Sequence, residues 1–191
     1  MPGIHIHLAI AKEYLKHHPE IKNQDAFYEG SIAPDFCEDK KKSHYTKETS
    51  NKDLINYLNN KVHIFPFLQT TNIKTDYNKG LFIHLITDKL FFTEFLDKNY
   101  LKSVTYSDYI NDLYYSYDCI NPIIIKYYDL PMEKYEQRIE KNINKMKKVR
   151  GIIEKQKNNI IEVDKLIKFI NELSLINLDE YKQKYKNKEG D

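Results

Sequence analysis

The segment Phe82-Ile83-His84-Leu85-Ile86-Thr87-Asp88 restricts this chain more than any other feature. Residues i and i+4 lie on one face of a helix. On a helical wheel, the arc that carries His84 and Asp88 also carries Leu81, Leu85, Phe91, Phe92 and Phe95. The imidazole and the carboxylate therefore sit in the middle of an apolar face, and folding must bury both. A carboxylate buried without a partner is strongly destabilising. A metal ion resolves the conflict, because a histidine and a carboxylate one turn apart can bind a single cation. A buried His–Asp hydrogen-bonded pair, with or without an Arg or Lys, is the other reading of this motif.

The distribution of histidines favours the metal. All seven lie at or before position 84, and the rest of the chain has none. In the first helical segment the apolar arc comprises Ile4, His7, Leu8, Ala11, Tyr14 and Leu15, so His7 faces inward. His5 falls beside Lys12 and Lys16 and is expected to face water. Residues i and i+2 of a helix cannot share a site, so His7 is the expected ligand. Two further candidates lie between these helices. Asp35 ends Gly30-Ser31-Ile32-Ala33-Pro34-Asp35, where Gly and Pro set a tight path. His44 lies in Ser43-His44-Tyr45, inside a polar, Lys-rich stretch read as a loop over 35–50.

The surrounding pattern is helical nearly throughout. Periodicity predicts a first helix ended by His18-Pro19 and a short helix over 24–30 stopped by Gly30. A helix over 50–60 has Ser50 as its cap and Asp53 in its first turn. Longer helices are expected over 76–96, 107–128, 131–157 and 161–186, with Ile139, Ile143, Met146 and Ile153 forming one apolar stripe. Only 5 Gly and 6 Pro in 191 residues argue against a turn-rich β protein. The expectation is an all-α multi-helix bundle forming one domain over 1–191, with a metal-site half at 1–98 and bundle-completing helices at 99–191. No apolar run is long enough to span a membrane. Residues 4–11 lack a basic flank and a small-residue cleavage site, so a cytoplasmic protein is expected. Cys37 and Cys119 are too far apart for a CxxC metal site and read as reduced thiols. A net charge of +2 argues against nucleic acid as a partner, and the excess of +4 beyond position 130 lies on mixed-sign helical faces.

Taken in order, these residues resemble the zinc-dependent phospholipase C family and its relatives, the zinc single-strand nucleases. The likeness is carried by His7 on the first helix, the Gly-x-x-x-Pro-Asp turn ending at Asp35, His44 followed by Tyr45, and the His-x-x-x-Asp helix of His84 and Asp88. It covers the first half of the chain. The resemblance implies an all-helical fold around a polynuclear zinc site that cleaves phosphodiesters. It also implies His7, Asp35, His44, His84 and Asp88 as ligands, with one aspartate bridging two metals. The family's site looks like a three-metal cluster with further histidines and a His-x-x-x-Glu pair. This chain has no histidine beyond His84, so a third site is either absent or built from His63 or from acids such as Asp108, Asp112 or Asp118.

Three histidines and two aspartates exceed one tetrahedral zinc site. They suit one five-coordinate ion or two ions sharing a carboxylate. Zn, Fe, Ni, Co and Mn all accept these ligands, and zinc is the leading expectation. Two ions ~3.5–4 Å apart would clamp an in-line phosphoryl displacement and lower the pKa of a bound water. Asp35 or Asp88 would then orient the resulting hydroxide, which makes these two the expected catalytic residues. The expected function is metal-dependent hydrolysis of a small phosphoester or phospholipid, with no organic cofactor. A non-catalytic or degenerate metal-binding helical protein that binds a ligand or partner is the rival reading. A metal-free core held by a buried His–Asp network is the third. His63 is expected at a rim, His17 and His18 at the negative end of the first helix, and Cys37 in the core. Tyr114, Tyr115 and Tyr117 are expected to pack against neighbouring helices, with substrate stacking as the functional alternative. There is no His-Asp dipeptide, zincin helix, nucleophile elbow or P-loop.

Overall fold

A computed structural model describes residues 2–48, 53–150 and 157–187, apart from the side chains at 145–150, 186 and 187. In chain order the helices are α1 (Ile4–His17), α2 (Gln24–Phe36), α3 (Lys40–Ser43), α4 (Leu54–Asn59), α5 (Ile64–Thr70) and α6 (Asp76–Leu90). A π-helical turn, Phe91–Phe95, extends α6. Then follow α7 (Lys98–Ser103), α8 (Tyr106–Tyr128), α9 (Met132–Arg150), α10 (Val163–Ser174) and α11 (Leu178–Asn187). The described residues contain no strand, which bears out the all-α expectation. None of their helices is long and apolar enough to cross a membrane.

Side-chain caps fix where most of these helices begin. Asn23, Asp39, Asp53, Thr75, Asp97 and Thr105 each accept a hydrogen bond from a backbone amide of the following turn. Asp53 therefore caps α4 and does not lie within its first turn; Ser50, the expected cap, lies outside the described residues. The expected loop over 35–50 contains the single-turn helix α3. The segment expected as one helix over 161–186 breaks at 175–177 into α10 and α11. Met146 and Ile153 of the expected stripe fall outside the described side chains, whereas Ile139 is buried.

Gly30 was expected to stop a helix, but α2 continues through it and through Pro34. The glycine serves a different purpose. An added Cβ at Gly30 would lie 2.0 Å from the Tyr77 carbonyl oxygen, and one at Gly80 would lie 2.2 Å from that of Phe27. Helices α2 and α6 thus cross glycine against glycine, backbone on backbone, and form the most extensive helix pair among the described residues. That crossing sets α2 beside the His84–Asp88 face.

Helix α1 packs against α2, α6, α8 and α10 and contributes Ile6, Leu8, Ile10 and Tyr14 to the core. Helix α9 lies along α2 through Lys134–Asp25 at 2.7 Å and Arg138–Glu29 at 2.8 Å. One turn further on, the Asn142 side-chain amide donates to the Asp35 backbone carbonyl at 3.1 Å. Residues 158–160 are tied to α8. The Asn158 backbone amide donates to Asp112 at 2.8 Å, and that of Ile160 donates to the Ser116 hydroxyl at 2.8 Å.

Candidate metal centre

The five expected ligands converge. Helix α1 supplies His7, the end of α2 supplies Asp35, and α6 supplies His84 and Asp88. The residue that closes α3 supplies His44. All five are buried. His7 Nε2 lies 3.2 Å from Asp88 Oδ1 and 3.8 Å from Asp35 Oδ2. His44 Nε2 lies 3.2 Å from Asp88 Oδ2 and 4.0 Å from Asp35 Oδ1. His84 Nε2 lies 3.6 Å from Asp88 Oδ2. The His7 and His84 rings stack at 3.9 Å between centroids.

The far nitrogens of two rings are fixed by backbone carbonyls. His84 Nδ1–H donates to Ser31 O at 2.8 Å, and His44 Nδ1–H donates to Lys40 O at 2.9 Å. Both Nε2 atoms therefore present lone pairs inward in the neutral rings, yet they face each other at only 3.0 Å. Two lone pairs at that distance repel unless a cation or a proton lies between them. A carbonyl that orients a ligating imidazole through its other nitrogen is the usual outer support of a metal site.

The remaining polar atoms point the same way. His7 Nε2 and both Asp88 carboxylate oxygens are enclosed and make no hydrogen bond. Leaving such atoms unsatisfied costs about 1–3 kcal/mol each, and more when charged. Ligands ~2.0–2.1 Å from one ion sit about 3.4 Å from one another around a tetrahedron, close to the spacings here. Two overlapping groups, His7–Asp35–His84 and His44–His84–Asp88, have mutually converging donor atoms. The donors thus fit a divalent ion. His84 offers a single inward nitrogen and can bind only one ion, so a second ion would be shared through a carboxylate. Imidazole and carboxylate do not select one metal among the first-row divalent ions.

Electrostatics follow the same geometry. Burial holds the His84 imidazole well below its ordinary pKa, and His7 reinforces this, so the ring is neutral and ligand-ready. Burial resists ionisation of Asp88, but His84, His44 and His7 outweigh it and hold the carboxyl well below the usual range. Burial also works against protonation of His44, and the Asp88 and Asp35 carboxylates overcome it and raise its pKa.

His5 is a correction. It is buried, as residues 6–11 are, because α1 is covered on several sides and not along one stripe. Burial lowers its pKa to about 4. Cys37 is also a correction: it is exposed, since it lies just past the end of α2. His63 precedes α5, where its backbone amide donates to the His44 carbonyl at 3.3 Å. It is not among the donors that converge on the centre. His18 stacks on Tyr14 at 3.6 Å and bonds Glu20 and the Ser174 carbonyl. Of the acids considered for a third site, Asp112 accepts from Tyr100 and Asn158, and Asp108 accepts from the Thr105 hydroxyl. Asp118 lines a cavity beside the centre.

Sequence reasoning missed that cavity. It occupies about 110 Å³ between the start of α1, α8 and α9, and Asp35 opens onto it. Its walls carry helical spacing, with Tyr114, Tyr117 and Asn121 on α8 and Ile139 and Ile143 on α9. Tyr114 and Tyr117 thus line this space as well as packing edge to face, 5.7 Å apart. Compared with protein-family models, curated proteins and solved structures, the chain finds no match.

Proposed function

We propose that the five-residue centre binds one or two divalent transition-metal ions, zinc foremost, and hydrolyses a phosphoester. The observation that carries this reading is a buried set of three imidazoles and two carboxylates in which His7 Nε2 and both Asp88 oxygens lack hydrogen bonds, with Asp35 lining a cavity beside it. A bound ion of this kind supplies Lewis acidity and acidifies water. Hydrolysis adds the oxygen of water to phosphorus, breaks the ester P–O bond and leaves one water proton on the departing alkoxide.

The two aspartates divide the work. Asp88 is 0% exposed and enclosed by three imidazoles, so it acts as an anchoring ligand. Asp35 is 4% exposed and lines the cavity, so it is the carboxylate that can orient water against a substrate. The likeness to the zinc phospholipase C family rests on this same set of residues and supports the same class of reaction.

The test is elemental analysis of the purified protein and of His84→Ala, alongside hydrolysis of bis(p-nitrophenyl) phosphate. One or two equivalents of metal in the parent, lost in the variant together with hydrolysis, support the reading. The near-complete enclosure of four of the five ligands favours a second reading, a structural metal site without turnover. Bound metal and raised thermal stability with no hydrolysis of any phosphoester would establish that reading instead.

A further inference from the structure

We propose that the cavity at the start of α1 is the substrate subsite, with Lys40 as its phosphate-binding cation. Its ligand is a small phosphoester whose alcohol part carries hydrogen-bond donors. This inference rests on the phosphoester reading of the centre and narrows its substrate class.

Lys40 occupies the boundary between centre and cavity. Its Nζ lies 4.0 Å from Asp35 Oδ1, one-third of its side chain is exposed, and it lines the cavity. Its backbone carbonyl separately holds His44, so side chain and main chain serve different ends. The first turn of α1 forms another wall. No side chain caps that 14-residue helix, and no acid lies in its first turn. Its first backbone bond runs from Ile6 N to Gly3 O, after the amides of Ile4 and His5. The positive end of the helix thus faces the space that Lys40 reaches, and both favour an anion.

One buried side chain in the same space awaits a partner. His5 is 6% exposed, lines the cavity and makes no hydrogen bond among the described residues. Asp118 lies on the same wall; its carboxylate accepts from a hydroxyl or amino group, which a phosphate does not supply, and it opposes a second anionic group. The cavity occupies about 110 Å³ beside the centre, room for a compact polar group.

The experiment uses the full chain loaded with zinc, titrated calorimetrically with inorganic phosphate and with glycerol phosphate. The wild type is expected to bind both and to prefer glycerol phosphate. Lys40→Met is expected to weaken phosphate binding about tenfold or more at unchanged zinc content. Lys40→Arg should restore it to within about threefold, since charge and donors are kept. Asp118→Leu should abolish the preference for glycerol phosphate and leave inorganic phosphate bound at least as tightly. A zinc-loaded Lys40→Met that binds phosphate as tightly as the wild type overturns the assignment of Lys40 while the phosphoester reading stands. Zinc-loaded wild type that binds neither ligand overturns both.

Discussion

Asp88 shows most clearly what a single residue is made to tolerate. Its carboxylate is surrounded by three rings and reaches no hydrogen-bond donor in proper alignment. Asp88→Asn removes the charge with little change of shape, so the loss tests the ligand and not the packing. Zinc affinity should fall by more than the about 10–100-fold typical of changes outside the ligand shell, read by competition with a chromophoric chelator. Asp35→Asn should differ. Its effect on zinc should be the smaller, while hydrolysis of bis(p-nitrophenyl) phosphate should drop about a hundredfold or more, the range general-base groups contribute. The burial of Asp88 was legible in the sequence because a charge in the middle of an apolar helical face has few physical resolutions. Asp35 and His44 were harder to place. Neither lies on a long amphipathic helix, and only the tertiary fold shows that both point inward. His5 was misread because a wheel assumes one covered face, whereas α1 is covered on several.

At the scale of the elements, the site depends on how closely two helices approach. The Gly30–Gly80 crossing lets the Ser31 carbonyl reach His84 and brings Asp35 over the same face. Gly80→Ala would put a methyl carbon against a backbone carbonyl that has no flexible end to yield. Overpacking of this kind costs about 1–3 kcal/mol or more, and for a chain of this size about 2–4 °C of melting temperature per kcal/mol. A fall of about 5–10 °C in calorimetry, with weakened zinc binding, is expected. Sequence alone presented Gly30 as a stop signal because glycine marks helix ends and close crossings with the same residue type. Only the facing glycine on α6 separates the two meanings.

The start of α6 carries a pH-dependent contribution of its own. Burial opposes ionisation of Asp76, but the Asn23 amide at 2.7 Å, Lys79 and the Lys22 amide at 3.0 Å lower its pKa below 3.8. Folding therefore favours the ionised form. The stabilisation is complete above the unfolded pKa and is lost as pH falls through the lower folded value. Asp76→Asn should cost about 1–2 kcal/mol at pH 7 in urea unfolding. The difference from wild type should shrink as pH falls below the ordinary carboxylate range. A gap that persists undiminished at low pH would assign the effect to geometry and not to charge.

The whole molecule couples the centre to stability. Helices α1, α2 and α6 and the turn after α3 each contribute a ligand, so an ion held there joins segments that are distant in sequence. Without the ion, the same segments bring together two carboxylates and three imidazoles whose inward atoms are poorly satisfied. Binding to the folded state alone stabilises it by about 4 kcal/mol at a free-ion concentration 1,000 times the dissociation constant. A chelator such as EDTA should therefore lower the melting temperature by about 8–16 °C, and added zinc should restore it. The control is His84→Ala, whose melting temperature should not respond to EDTA or to zinc. A wild-type melting temperature indifferent to both would mean that protons alone hold the cluster, with His44 carrying the charge that the two carboxylates require. The four separate elements would then be joined by a hydrogen-bonded network, and neither the hydrolytic nor the structural metal reading would survive.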